Sequence, residues 1–148
     1  MNVPPAESAA AAVDAADPAA AANPLLADVP LPRFDLIRAE HAVPAIARLI
    51  AEQRARVAQI EALAEPSFDT VVEPLEELRH RLGRVWSPIG HLNAVMNTES
   101  LRSAYNQCLP LLSEHQTSLA LSEQPDRAYA RIAEREGTAL RPVQRAVI

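Results

Sequence analysis

Between residues 71 and 96 the apolar side chains Val71, Leu75, Leu78, Leu82, Val85, Ile89, Leu92 and Met96 recur at alternating steps of four and three. That spacing keeps all of them on one stripe of an α-helix. A neighbouring stripe holds only small residues, Gly83, Ser87, Gly90 and Ala94. One face therefore offers bulk to a core, and the next is expected to admit another helix backbone. Pro88 falls inside the run and cannot donate to the carbonyl of Arg84, so a kink is expected there.

The same stepping recurs on both sides. Val43, Ile46, Ile50, Val57 and Ile60 form a stripe interrupted by Gln53, which predicts a helix from about residue 38–43 to 64, with Pro44 in its first turn and Pro66 after it. Leu101, Tyr105, Cys108, Leu112, His115 and Leu119 predict another over residues 99–121, with Pro110 as a second kink. Between the first two, Asp69 or Thr70 is the expected N-cap, and Thr70 with Glu73 has capping-box spacing, which Pro74 complicates. Asn97 and Thr98 make the next break and cap. Ser122 is placed to cap a shorter helix that ends at Gly137. Residues 141–148 restart a helix that stops with Val143, Val147 and Ile148 unpartnered, which reads as a truncation.

The fold class that follows is all-α: kinked, long antiparallel helices in a bundle. Only three glycines and 3% aromatic residues among 148 argue against a turn-rich β fold. Residues 1–22 are alanine with proline and acid, and read as a mobile tail. Residues 23–37 carry Pro24, Pro30 and Pro32 and read as an extended strap held by Leu25, Leu26, Leu31 and Phe34. Residues 38–148 are the helical domain.

Net charge is -5, mixed along the helices without a basic block, which argues against nucleic acid as a partner. No apolar run reaches the roughly 18–20 residues of a membrane span. The N-terminus lacks the basic region of a signal peptide. One cysteine, Cys108, allows no internal disulfide. A cytoplasmic protein is expected.

The candidate chemistry is sparse. His41, His80, His91 and His115 include no H-E-x-x-H and no pair three to five apart. Cys108 and His115 are seven apart on one helix face, but a zinc site takes at least three protein ligands, so both read as core. His91 beside Asn93 suggests a polar contact in a groove, and a structural histidine is the plainer reading. Glu73, Glu76 and Glu77 resemble an acid cluster, but Glu76 to Arg79 and Glu77 to Arg81 have the spacing of solvent-side helix pairs. Trp86 and Tyr105 are aromatics that suit a peptide ligand or, more simply, the core. No catalytic, cofactor-binding or metal residue is assigned.

Several runs carry a family resemblance. They are Asn23-Pro24-Leu25-Leu26, Leu31-Pro32-Arg33-Phe34, Glu40-His41-Ala42-Val43-Pro44-Ala45 and Val72-Glu73-Pro74-Leu75-Glu76-Glu77-Leu78. Two more are Trp86-Ser87-Pro88-Ile89-Gly90-His91-Leu92-Asn93-Ala94-Val95-Met96-Asn97 and Tyr105-Asn106-Gln107-Cys108-Leu109-Pro110-Leu111-Leu112-Ser113-Glu114. In that order they resemble the N-terminal region of the oligopeptidase A group, in the thimet-oligopeptidase family of zinc metallopeptidases. The resemblance implies an almost wholly helical protein whose two halves enclose a deep channel with zinc at its base. Short peptides are the implied substrates, and a glutamate of H-E-x-x-H is the implied base for a zinc-activated water. Those zinc ligands lie beyond the equivalent of Ile148, so the resemblance assigns zinc to a missing C-terminal catalytic half. This chain is then expected to form one channel wall and to be inactive alone. A non-catalytic helical fragment that binds peptides or a partner is the alternative.

Overall fold

The computed structural model describes residues 23–121 and 123–147. The expectations for residues 1–22, for Ser122 and for Ile148 lie outside them. Among the described residues the secondary structure is helical, with no strand. The α-helices are α1 (Ala42–Glu61), α2 (Glu73–Met96), α3 (Glu99–Ala120), α4 (Glu123–Glu136) and the single turn α5 (Pro142–Arg145). A 3-10 turn, Ala39–His41, leads into α1, and a π-helical turn, Phe68–Val72, leads into α2.

α1, α2 and α3 pack as an up-down-up bundle. Glu52 of α1 pairs with Arg81 of α2, while Arg56, four residues on, reaches back to Thr70, so these helices are antiparallel. Gln53 of α1 meets His115 of α3, and Val43 lies beside Ser103, so α1 and α3 are parallel. The α2–α3 link is only Asn97 and Thr98. Asn97 takes the left-handed conformation at φ 47°, which asparagine tolerates better than most residues and which ends α2. The Thr98 hydroxyl then accepts from the Leu101 amide at 3.3 Å and caps α3. Both helices run on through their interior prolines, Pro88 and Pro110.

The start of α2 differs from the expectation. Ser67, not Asp69 or Thr70, caps the π turn that leads into α2: its Oγ accepts from the Thr70 amide at 3.2 Å, and the Ser67 amide donates to Thr70 Oγ1 at 2.9 Å. Pro74 explains the displacement. It has no N–H for the Thr70 carbonyl, so the chain enters through a wider π turn, and Arg56 Nη2 donates to that carbonyl at 2.9 Å. α1 is also shorter than its pattern, ending at Glu61, because the chain turns at Ala62 well before Pro66.

Two apolar clusters form the core. The larger joins Leu25 and Ile37 to Ile46, Leu49 and Ile50 of α1, Val85 and Ile89 of α2, and Ala104, Cys108 and Leu112 of α3. The smaller gathers Ile60, Phe68, Val71 and Val72 against Ala128 and Ile132 of α4 and Leu140. The long apolar stripe is therefore divided. Val71 serves one cluster, Val85 and Ile89 serve the other, Leu75, Leu78, Leu82 and Leu92 are half-buried, and Met96 is exposed. Each fully buried large aliphatic side chain contributes about 1.5–3 kcal/mol by leaving water. Just past α4, a Cβ on Gly137 would lie 2.4 Å from the Ala133 carbonyl oxygen, so a side chain there forces the backbone to shift.

Residues 23–37 turn at 24–27 and again at 34–36. Polar bonds pin this strap as much as apolar ones. The buried Asn23 donates from Nδ2 to the His41 carbonyl at 2.9 Å and accepts from the Leu25 amide at 3.0 Å. Arg84 of α2 donates to the Val29 carbonyl. Leu25 is buried and Leu26 half-buried, but Leu31 and Phe34, expected to hold the strap, are exposed. With the backbone held at Asn23 and Val29, their side chains are not needed as anchors.

Candidate functional site

The four histidines are dispersed. His41 Nδ1 accepts from the Arg38 amide at 3.0 Å and closes the turn before α1. His80 and His91 are exposed on α2, and the His91 ring stands edge-on to Phe34 at 5.5 Å. His115 is buried between α1 and α3, where its Nε2 lies 2.5 Å from Gln53 Oε1. The amide oxygen only accepts, so Nε2 carries the proton and donates. Burial, reinforced by Arg54, pushes the His115 imidazole below its ordinary pKa and holds it neutral. Its Nδ1 is buried without a partner among the described residues.

Cys108 is fully buried in the α3 stripe, and burial pushes its thiol pKa up, the opposite of what a nucleophilic thiolate needs. Both Cys108 and His115 are therefore part of the core. Among the described residues no group of three or more His, Cys, Asp or Glu is placed to hold a metal ion.

Of the acidic cluster on α2, Glu76 pairs with Arg79 at 2.8 Å as expected. The expected Glu77–Arg81 pair is replaced by a bond across the bundle, from Arg81 to Glu52 at 2.9 Å. Glu52 also accepts from Arg48 at 3.0 Å, so one carboxylate ties two arginines. Trp86 and Tyr105 stack with ring centroids 4.7 Å apart and planes 19° apart, joining α2 to α3 at the edge of the core. His91, read as a groove contact or more plainly as a structural histidine, is exposed instead, and the Oδ1 of nearby Asn93 is buried without a partner among the described residues.

Two concavities lie along the strap. One, of about 360 Å³, runs under it between Leu25, Ile37 and Leu49 on the apolar side and Asp28, Glu77, His80, Arg81 and Arg84 on the polar side. The other, of about 400 Å³, opens outward over Gly83 and Ser87 and is bordered by Pro32, Phe34, His80 and Arg84. This strap-bounded surface was missed in the sequence. The three prolines mark the strap but do not say where it lies.

A profile of the family described as Neurolysin/Thimet oligopeptidase, N-terminal domain, matches residues 46–148, which is most of the chain and covers α1 from its second turn onward. The chain belongs to the neurolysin/thimet oligopeptidase family. It is 45% identical over 108 residues to the oligopeptidase A of Salmonella typhimurium, a match covering 72% of this chain and 16% of that protein. The Escherichia coli oligopeptidase A is 42% identical over 108 residues, with the same coverage of 72% and 16%. A probable cytosolic oligopeptidase A of Arabidopsis thaliana is 38% identical over 112 residues, 76% of this chain and 16% of its own length. The chain thus spans about one-sixth of the length of the curated relatives it matches. Within the family fold, the Trp86–Tyr105 stack brings together the two motif runs that begin at those residues. No helix among the described residues is long and apolar enough to cross a membrane.

Proposed function

We propose that this chain acts as the non-catalytic N-terminal helical part of an oligopeptidase A-like zinc metalloendopeptidase that hydrolyses short peptides in the cytoplasm. Residues 38–148 form its helical domain and residues 23–37 its strap. Its contribution is one wall of the substrate channel, which limits the size of peptide admitted. The observation that carries the reading is the match to a family's N-terminal domain over about one-sixth of the relatives' length.

Catalytic zinc takes three protein ligands and leaves a position open for water. The described residues do not fit that group: His41 caps a turn, His115 bonds Gln53, and His80 and His91 are exposed on α2. No step of hydrolysis is therefore assigned to them. The zinc and the general base belong to the remainder of such a protein.

The test is a zinc titration of the purified chain beside an assay with a quenched short peptide. The reading expects well under one zinc per chain and no zinc-dependent cleavage. One tightly held zinc per chain with zinc-dependent cleavage would overturn it.

A further inference from the structure

The interface between α1 and α3 holds a titratable group that the functional reading does not use. His115 is 1% exposed, and its Nε2 donates to Gln53 Oε1. That amide oxygen satisfies one N–H of the ring. Nδ1 is buried as well and has no acceptor among the described residues, so an N–H formed there has nothing to receive it. A proton on Nδ1 puts a charge and an unpaired donor into the buried stripe that Cys108 and Leu112 share with His115.

The surrounding charges oppose that proton. Arg54, next to Gln53 on α1, is the charged group among the described residues that bears on the ring, and it is a second cation. Glu114 on α3 is exposed and already paired with Arg54 at 3.3 Å. On α2, Arg81 is taken up by Glu52. α4 meets α1 two turns beyond Gln53, where Ala128 and Ile132 pack on Ile60. An imidazolium at this position reaches water only if α3 parts from α1.

α3 has one place suited to such a parting. Pro110, five residues before His115, has no N–H for the Asn106 carbonyl, so one rung of the helix is missing there. We infer that protonation of His115 releases the segment of α3 after Pro110 from α1, which makes the Gln53–His115 contact an acid-sensitive latch with its hinge at Pro110. The released segment carries Leu112 out of the larger apolar cluster, while Ala104 and Cys108, before the hinge, stay packed in it. The motion is a local opening and leaves the rest of the bundle folded.

The test is hydrogen exchange of the full chain at about pH 7.5 and about pH 5.5, on either side of the ordinary histidine value. Exchange is read in peptides covering residues 111–120 and residues 99–109. Each rate is divided by that of His115→Gln at the same pH, which cancels the intrinsic pH dependence of exchange. Glutamine can still donate to Gln53 and does not titrate. An ordinary value of about 6.5 limits the gain in opening at the lower pH to about tenfold. The ratio for residues 111–120 is expected to rise at least threefold between the two pH values, while that for residues 99–109 stays within twofold. If His115→Gln does not fold, the double variant Gln53→Leu/His115→Leu, which removes the pair outright, is the reference. A rise of less than threefold in residues 111–120 overturns the inference. A rise shared by both segments overturns it as well, because it reports acid unfolding of the bundle rather than a latch.

Discussion

Gln53 of α1 and His115 of α3 meet through a 2.5 Å side-chain hydrogen bond in an otherwise apolar seam. Both residues are buried, and the bond fixes how two parallel helices face each other. Removing Gln53 alone strands the imidazole N–H, so Gln53→Ala is expected to cost about 1–3 kcal/mol. Replacing both partners with leucine removes the need for the bond and should cost much less than the sum of the single changes. Denaturant melts of the single and double variants check this. Additive losses would show that the pair does not act as a unit.

The same histidine makes stability depend on pH. Its folded pKa is lowered, so in mildly acidic solution the unfolded chain binds a proton that the folded chain refuses. Folding stability should therefore be full above the unfolded value of about 6.5 and fall as pH drops below it. In His115→Gln that portion of the slope should disappear. An unchanged pH profile in the variant would assign the acid sensitivity to other groups.

Ile89 is buried and Arg81 exposed on α2, and the two should differ sharply. Ile89 is buried between the three long helices, and Ile89→Ala is expected to cost about 2–5 kcal/mol. Arg81 makes an exposed ion pair with Glu52, and Arg81→Ala should cost under about 1 kcal/mol. Leu82, half-buried, should fall between them. Comparable losses at Ile89 and Arg81 in urea melts would mean that α2 is rotated from the orientation described.

Two glycines should respond in opposite directions to alanine. Gly83→Ala meets open space in a helix and should stabilise by about 0.5–1 kcal/mol. Gly137→Ala drives a methyl against the Ala133 carbonyl oxygen, and a cost of about 1–3 kcal/mol is expected. Thermal melts of the two variants give the signs directly.

Helix positions were legible because four-three stepping reports a buried stripe wherever the stripe is long. The Asn97–Thr98 break was equally clear, since both residues carry their own capping chemistry. What was not legible came from partners distant in the chain. Gln53 showed as an interruption in an apolar stripe, but its partner lies 62 residues away. Arg81 left its helical neighbour Glu77 for Glu52 on another helix. The π turn before α2 follows from Pro74 and from an arginine, Arg56, supplied by the preceding helix. The small-residue stripe correctly marked a face with little side chain, but no described helix occupies it at Gly83, and at Gly90 the nearest neighbour is the Tyr105 ring at 3.9 Å. The groove depends on where the strap crosses α2, which no local pattern encodes.

Under the proposed function, this chain restricts which substrates reach zinc held elsewhere. The most direct measurement compares peptide hydrolysis by the separately produced remainder of a bacterial oligopeptidase A with and without this chain, across substrates of increasing length. Adding the chain is expected to raise cleavage of short peptides and suppress cleavage of longer polypeptides, with no activity from the chain alone. A length profile and rate identical in its presence and absence, under conditions where the two parts associate, would contradict it.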